Sequence, residues 1–195
     1  PVFAEMSSIN PVLMLPRALA ARGEKLALEL GASVMQGAGQ FCTSPGLVLG
    51  IRSPEFSGFV EALSQFFTNQ PAQTLLNAGG LHSYSKGIKR LAEVAGIRHL
   101  AGSGQHGNQA SPQLFQADAS LLIDGAEVLQ EEVFGPTTVI VEVADKAQLL
   151  QALHSLHGQL TATLIAEPAD LQAFAEVVPV LEQKAGRLLL NGYPT

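Results

Sequence analysis

Strand-like and helix-like segments alternate regularly through the C-terminal third of the chain, and this alternation restricts the fold more than any other feature. Residues 137–143, Thr-Thr-Val-Ile-Val-Glu-Val, are rich in β-branched side chains and predict a strand. The hydrophobic pattern then predicts a helix over residues 146–156, a strand over 160–166, a helix over 169–183 and a strand over 187–191. Strands that are joined by helices pair in parallel, with the helices packed on the sheet. The sequence therefore predicts one α/β domain built on a mostly parallel sheet.

The N-terminal half carries further helix and strand signals. Leucines recur at near-helical spacing over residues 13–30, where Pro16 suits a first turn and Gly31 is expected to end the helix. Residues 47–51, Leu-Val-Leu-Gly-Ile, predict a buried strand, and Ser53 followed by Pro54 is typical of a helix start. Further predictions are a helix over residues 83–94 and strands over residues 113–117 and 119–123.

Composition excludes several classes of partner and compartment. The chain has 195 residues and a net charge of −6, so we expect it to bind neither nucleic acid nor an anionic membrane surface. No apolar run approaches the roughly 20 residues of a membrane span. A single cysteine forms no internal disulfide, which favours a reducing compartment, and we expect a cytoplasmic protein. Only 14% of the residues are charged, so part of the surface is expected to be covered by another domain or subunit.

Cys42, the single thiol, lies within residues 37–46, Gly-Ala-Gly-Gln-Phe-Cys-Thr-Ser-Pro-Gly, directly before the strand predicted at 47–51. Glycines allow close backbone approach and leave N–H groups available near the sulfur, and such donors favour a thiolate and an oxyanion. A lone cysteine is nevertheless more often a small buried hydrophobic residue, as it would be in an α/β interaction domain without enzymatic activity. A third interpretation is a thiol enzyme, an acyltransferase or a hydrolase, in which a histidine serves as the base.

None of the five histidines is an obvious partner for Cys42. His154 and His157 are spaced to share one face of the helix predicted there. No carboxylate stands beside them at metal-ligand spacing, so we predict no metal site and interpret the pair as part of a solvent-exposed helix face.

Two acidic segments are candidates for functional carboxylates. Glu132 lies in residues 131–136, Glu-Glu-Val-Phe-Gly-Pro, where Gly-Pro predicts a turn before the strand at 137–143. It is either part of an exposed acidic turn or a carboxylate held at the end of a strand, where α/β proteins place ligand contacts. Glu5 stands in residues 5–11, Glu-Met-Ser-Ser-Ile-Asn-Pro, where desolvation would raise its pKa towards that of a useful general base.

Taken together and in this order, these segments resemble the motifs of a known family, the NAD(P)-dependent aldehyde dehydrogenases. The resemblance is carried by residues 5–11, by residues 39–43 (Gly-Gln-Phe-Cys-Thr) and by residues 131–136. The closing residues 190–195, Leu-Asn-Gly-Tyr-Pro-Thr, are similar to a late asparagine-containing loop of the same family. The resemblance covers essentially the whole chain and implies the family's catalytic-domain fold, α/β with three layers, in which helices cover both faces of a mostly parallel sheet.

The resemblance also implies a role for each candidate residue. Cys42 is expected to attack the aldehyde as a nucleophile and to carry first a thiohemiacetal and then a thioester, while its backbone N–H forms half of the oxyanion hole. Glu5 is expected to be the base that activates water for thioester hydrolysis. Glu132 is expected to bind the nicotinamide ribose hydroxyls of NADP or NAD, and Phe134 to pack against the nicotinamide end of that cofactor.

The chain departs from the commoner family pattern after the glutamate, which is Leu-Gly-Gly-Lys, because it has Met-Ser-Ser-Ile at residues 6–9. This variant resembles the branch of the family that oxidises 2-oxoglutarate semialdehyde (2,5-dioxopentanoate) to 2-oxoglutarate. The resemblance therefore implies that small aldehyde as the substrate.

Members of the family are much longer than this chain, which begins at Pro1 without an initiator methionine and stops at Thr195. We therefore expect residues 1–195 to be an excised catalytic domain, without the cofactor-binding domain and without the C-terminal strand that helps oligomerisation. The full-length protein is expected to form a homo-oligomer. The fragment alone is expected to fold, but neither to bind NADP or NAD tightly nor to turn over, because its partner, the cofactor domain, is missing.

Overall fold

A computed structural model describes residues 7–103 and 107–195 of the chain. The strands in the described part are β1 (Val12–Met14), β2 (Leu47–Ile51), β3 (Gln73–Thr74), β4 (Ile97–Ala101), β5 (Gln109–Ala110), β6 (Gln113–Asp118), β7 (Thr137–Val143), β8 (Gln159–Ile165) and β9 (Ala185–Leu190). The α-helices are α1 (Pro16–Met35), α2 (Pro54–Asn69), α3 (Ala78–Glu93), α4 (Ala119–Ile123), α5 (Lys146–Ser155), α6 (Pro168–Ala173) and α7 (Val177–Lys184). Short 3-10 helices cover Gln36–Gly39 and Glu127–Leu129.

One sheet organises this part of the chain. Its seven strands follow the order β4-β6-β7-β2-β1-β8-β9, and every neighbouring pair is parallel except β4 with β6. The strands β3 and β5 form a separate antiparallel pair. The prediction of a mostly parallel α/β sheet is confirmed.

Helices cover both faces of the sheet, because successive side chains of the central strands point to opposite sides. On one face Met14, Val48 and Ile140 pack with the helices α1 and α2. On the other face Leu49 and Val141 pack with α4, α5 and α7. Since β1 and β2 are buried on both faces, they contain no polar side chain, as is usual for strands inside a parallel sheet. The three-layer arrangement is therefore confirmed.

Two short segments adopt other elements than predicted. Residues 119–123 form the helix α4 rather than a strand, with Ala119 and Leu122 buried three positions apart on one helical face. Val12–Met14 is the strand β1, inside the sheet between β2 and β8, whereas helical spacing had included residues 13 and 14 in the following helix. In both cases the apolar run is too short for its period to distinguish a strand from a helix.

Two predicted helix starts are confirmed, whereas the helix predicted over residues 83–94 begins earlier, at Ala78, and ends at Glu93. Pro16 opens α1, and the Ser53 side chain accepts a hydrogen bond from the Phe56 N–H at the start of α2. However, Gly31 does not end α1, which continues to Met35. A Cβ at Gly31 would lie 2.4 Å from the ring of Phe66, so this glycine allows α1 and α2 to pack closely.

The C-terminal helices also differ in their limits from the predicted ones. The single helix predicted over residues 169–183 is divided into α6 and α7. The helix α5 ends at Ser155, so His154 and His157 do not share a helix face. No helix in the described ranges has both the length and the hydrophobicity that crossing a bilayer requires.

Two glycines test the packing of this fold. A Cβ at Gly50, in β2, would lie 2.1 Å from the ring of the fully buried Phe56, whereas a Cβ at Gly58, on the exposed side of α2, would meet no described atom within 4 Å. We expect Gly50→Ala to lower the free energy of unfolding by about 1–3 kcal/mol through overpacking. As a matched control, Gly58→Ala should raise it by about 0.5–1 kcal/mol, because alanine is the better helix former. Urea denaturation measures both values, and equal stability of the two variants would contradict the packing described here.

Candidate active site

The loops that carry the predicted site residues meet at one edge of the sheet. Residues 7–11 lead into β1, residues 41–46 lead into β2, and residues 131–136 lead into β7. Because β1, β2 and β7 are parallel, these loops all lie at the amino ends of the strands. Open α/β sheets usually bind ligands at the opposite edge, where the strands end.

Cys42 lies in a tight turn that presents its sulfur to solvent. The turn spans residues 41–44 and is closed by the Ser44 N–H, which donates to the Phe41 carbonyl at 2.9 Å. Cys42 is exposed, so it is not the buried hydrophobic residue that one interpretation of the sequence required. Neither its thiol nor its backbone N–H makes a hydrogen bond to any residue that the structure describes. The turn therefore offers a nucleophilic atom and a hydrogen-bond donor side by side.

A backbone contact joins this turn to the segment that holds Glu132. Gly37, Ala38 and Gly39 are consecutive residues with positive φ, at 56°, 57° and 66°. A Cβ at Gly39 would lie 2.3 Å from the carbonyl oxygen of Gly135. Only glycine leaves room for this approach, which brings the thiol loop against residues 131–136.

The two adjacent acids of that segment have different surroundings. Glu131 forms an ion pair with Arg90 of the helix α3. Glu132 is half-buried, and its backbone N–H donates to the Ser7 hydroxyl at 3.2 Å. Phe134 follows with 43% of its surface exposed. One turn thus displays a carboxylate and an uncovered aromatic ring beside the thiol loop.

Tyr84, which no pattern in the sequence marks, packs against the Gly135 backbone of this turn. A Cβ at Gly135 would lie 2.3 Å from its ring. Its hydroxyl donates to the Ser111 carbonyl at 2.6 Å and accepts from the Thr137 hydroxyl at 3.0 Å. Burial raises the pKa of Tyr84 well above its ordinary value, so the phenol stays neutral and remains a donor.

Asn10 holds the thiol turn from the other side. It is buried, with φ of 46°, and its side-chain N–H groups donate to the Cys42 carbonyl at 2.9 Å and to the Ser44 carbonyl at 3.0 Å. Its Oδ1 accepts from the Thr161 hydroxyl at 3.0 Å and from the Ser8 hydroxyl at 2.8 Å. In the sequence Asn10 stands out only as part of a motif. Its side chain connects the turn to β8.

Glu5 lies outside the described residues. The segment that follows it contacts the site, since Ser7 bonds to the Glu132 backbone and Ser8 lies beside Asn10. Ser8, Gly39, Ser44 and Glu132 line one crevice between the three loops. In the described ranges no group of three His, Cys, Asp or Glu side chains could hold a metal ion.

Two curated relatives match the chain over its whole length. It is 50% identical to an alpha-ketoglutaric semialdehyde dehydrogenase of Acinetobacter baylyi and 43% identical to alpha-ketoglutaric semialdehyde dehydrogenase 2 of Azospirillum brasilense. The matched region is 38% of the first relative and 37% of the second, so the chain spans less than two-fifths of their length. No family model matches the chain.

Solved structures show the same fold. A gamma-glutamyl-gamma-aminobutyraldehyde dehydrogenase of Burkholderia cenocepacia superposes with a TM-score of 0.78 at 18% identity, over 97% of this chain and 39% of that one. An NADP-dependent glyceraldehyde-3-phosphate dehydrogenase of Bacillus halodurans, in complex with NADP, superposes with a TM-score of 0.77 at 17% identity, over 98% of this chain and 39% of that one. At these identities the likeness concerns the fold alone.

The contact between Gly39 and Gly135 can be tested by adding a methyl group. Gly39→Ala introduces both an unfavourable positive φ, at about 1–2 kcal/mol, and a clash with the Gly135 backbone worth about 1–3 kcal/mol more. Gly125 also has a positive φ, at 76°, but a Cβ there meets no described atom within 4 Å. Gly125→Ala therefore measures the backbone cost alone. Thermal unfolding of both variants should show the larger loss for Gly39→Ala, and equal losses would contradict the close approach.

Proposed function

The chain belongs to the aldehyde dehydrogenase family, and from this we propose that it is the thiol-bearing catalytic domain, residues 1–195, of a longer enzyme that oxidises an aldehyde to a carboxylate with NADP or NAD. Identity of 50% to a relative over the whole chain supports this proposal. The observation that carries it is the contact of Gly39 with Gly135, because it joins the Cys42 turn to the segment with Glu132 and Phe134.

Cys42 performs the covalent chemistry in this proposal. Its thiolate forms a bond to the aldehyde carbon, and the carbonyl oxygen becomes an oxyanion next to the Cys42 N–H. No described residue accepts a hydrogen bond from this N–H, so it is available to the oxyanion. NADP or NAD, when bound, supplies the acceptor for the hydride that leaves this carbon. The resulting thioester is hydrolysed by water, and Glu5 takes the proton of that water. Overall, the aldehyde and water become a carboxylate, while the cofactor gains a hydride and two protons are released.

The residues beside the thiol fit a nicotinamide nucleotide. A carboxylate accepts hydrogen bonds from ribose hydroxyls, which is the role we propose for Glu132. Phe134 is 43% exposed and provides a flat apolar surface, which we propose packs against the nicotinamide end of the cofactor. Both NADP and NAD carry this end of the molecule, so the proposal includes both.

We propose 2,5-dioxopentanoate as the substrate and 2-oxoglutarate as the product. Both curated relatives are named for this semialdehyde. The serines that replace the commoner Gly-Gly of the family also have defined contacts: Ser7 with the Glu132 backbone, and Ser8 with Asn10 and Gln159.

The proposed partners are the rest of the same protein and further copies of it. Leu76 is 87% exposed and its N–H donates to the Gln40 side chain, so an apolar residue lies uncovered beside the thiol segment. We propose that a cofactor domain covers this surface. Leu190 of the edge strand β9 is 54% exposed, which supports a homo-oligomer in which another strand adds to this edge. An exposed catalytic thiol needs a reducing compartment, which supports a cytoplasmic location.

The mechanism predicts different kinetics for the two catalytic residues in the full-length protein. With saturating NADP or NAD and 2,5-dioxopentanoate, the wild-type enzyme should reduce cofactor steadily and should prefer this substrate to simple aldehydes. Cys42→Ala should lose both the first turnover and the steady state, by roughly a millionfold, the usual effect of deleting a nucleophile. Glu5→Gln should keep a burst of one reduced cofactor per site, and its steady state should fall by about 10²–10⁴-fold, because only deacylation needs the base. Stopped-flow absorbance measures both phases.

Two outcomes would overturn this assignment. Turnover that survives Cys42→Ala would exclude the thiol mechanism, and failure on every aldehyde would exclude the activity. Rapid ester hydrolysis that is lost on substitution of Cys42 and of one histidine, without any cofactor reduction, would instead favour a thiol hydrolase or acyltransferase.

The adjacent acids provide a matched pair for testing cofactor binding. Glu132→Gln weakens hydrogen bonds to the ribose hydroxyls and should raise the KM for the cofactor by roughly 10- to 100-fold, the usual loss for a charged hydrogen-bond partner. Glu131→Gln removes the same charge one position earlier, where the carboxylate pairs with Arg90. It should change that KM by no more than about twofold. Equal effects of the two substitutions would refute the specific role of Glu132.

A further inference from the structure

Buried polar side chains form a connected network between β8 and the thiol turn. Gln159 and Thr161 lie in β8, Ser8 and Asn10 lie just before β1, and all four are buried. The Gln159 Oε1 accepts from the Ile9 N–H at 2.7 Å and from the Asn10 N–H at 3.2 Å. The network thus holds both the backbone and the side chain of Asn10.

The orientation of the Asn10 amide follows from its partners. The Thr161 backbone N–H, which is always a donor, lies 3.3 Å from Oδ1. The carbonyl oxygens of Cys42 and Ser44, which are always acceptors, lie 2.9 and 3.0 Å from Nδ2. Rotating the amide by 180° would turn each of these bonds into a repulsion between like groups, so only one orientation is compatible with the site.

Asn10 also has the backbone conformation that such a residue needs. Its φ of 46° lies in the left-handed region, which asparagine tolerates better than most other residues. A residue keeps such a strained backbone conformation only where the contacts around it fix that conformation, and residues of this kind are often found at functional sites. Here these contacts are two sets of hydrogen bonds: the Asn10 N–H donates to Gln159, and Thr161 donates to the Asn10 side chain.

We propose that Asn10 is a positioning residue for Cys42: by holding the Cys42 and Ser44 carbonyls, its amide fixes the turn and directs the Cys42 N–H, which bonds to no described residue, towards the oxyanion. Thr161 acts one step further away, because its hydroxyl holds the Asn10 amide. This inference deepens the proposed function and rests on it, since the oxyanion is that of the Cys42 adduct. Asn10 itself touches no reacting atom.

The test uses a reaction that needs no cofactor, in the full-length protein. The Cys42 thiolate attacks 4-nitrophenyl acetate, an oxyanion forms, 4-nitrophenolate leaves, and an acetyl thioester remains on the sulfur. Iodoacetamide alkylates the same sulfur by displacing iodide from a saturated carbon, so no oxyanion forms. Comparing the two rates separates stabilisation of the oxyanion from access to the thiol.

Thr161→Val and Thr163→Val provide a matched pair. Both threonines are buried in β8 on the same side, but the Thr163 hydroxyl makes no hydrogen bond within the described part of the chain. Thr161→Val should slow acylation by about two- to tenfold, the effect of one lost neutral hydrogen bond. Asn10→Gly, which tolerates the positive φ, should slow it by roughly 100-fold, as expected when an oxyanion donor is lost. Thr163→Val should stay within about twofold of the wild-type rate.

Alkylation by iodoacetamide should keep its wild-type rate in all three variants. The proposal is overturned if Thr161→Val acylates as fast as Thr163→Val, or if acylation and alkylation fall in parallel, which is the signature of a merely structural role. It is also overturned if the wild-type thiol is alkylated but never acylated. If the wild-type thiol is acylated but the protein oxidises no aldehyde, the proposed function is wrong. The positioning role of Asn10 is then still decided by the acylation rates of the three variants.

Discussion

Each strand of a parallel sheet that starts inside a protein leaves backbone N–H groups without a ladder partner, and a buried N–H needs a hydrogen bond. Here side chains satisfy these groups at the amino edge of the sheet. Gln159 accepts from the Ile9 and Asn10 N–H groups, Ser8 accepts from the Leu160 N–H, and Asn10 accepts from the Thr161 N–H. Because one of these side chains, that of Asn10, also donates to the Cys42 and Ser44 carbonyls, completing the sheet edge fixes the thiol turn as well. The candidate site lies at this edge for that reason.

The sequence predicts most of the fold because its strongest signals are local. The β-branched run at residues 137–143 and the Ser53-Pro54 start depend on neighbours along the chain, and both are confirmed. The failures depend on distant contacts. Gly31 looks like a helix end, but the ring of Phe66 from α2 occupies the space that a side chain would need. Residues 119–123 are apolar in either conformation, and only their packing makes them helical.

The candidate site divides in the same way. The unusual composition around Cys42 and Glu132 makes both residues candidates, and glycine next to the thiol predicts a close backbone approach. The sequence does not show which residue Gly39 approaches. In the structure this residue is Gly135, far along the chain. No pattern in the neighbouring sequence marks Tyr84. Its supporting role depends on hydrogen bonds of its hydroxyl to Ser111 and Thr137, which form only after folding. Candidate site residues are therefore easier to find in the sequence than the residues that support them.

The two serines before Asn10 show how a departure from a family pattern is accommodated. A hydroxyl in place of a glycine hydrogen adds a donor and an acceptor that must find partners when buried. Ser8 is buried and donates towards Asn10 and Gln159, while accepting from the Leu160 N–H. With glycine at this position, no hydroxyl would be present to form a hydrogen bond with the Gln159 side chain. Ser8 and Gln159 are therefore physically coupled, and through Asn10 their coupling reaches the backbone of Cys42. Residues remote from the substrate thus shape the turn that carries the thiol.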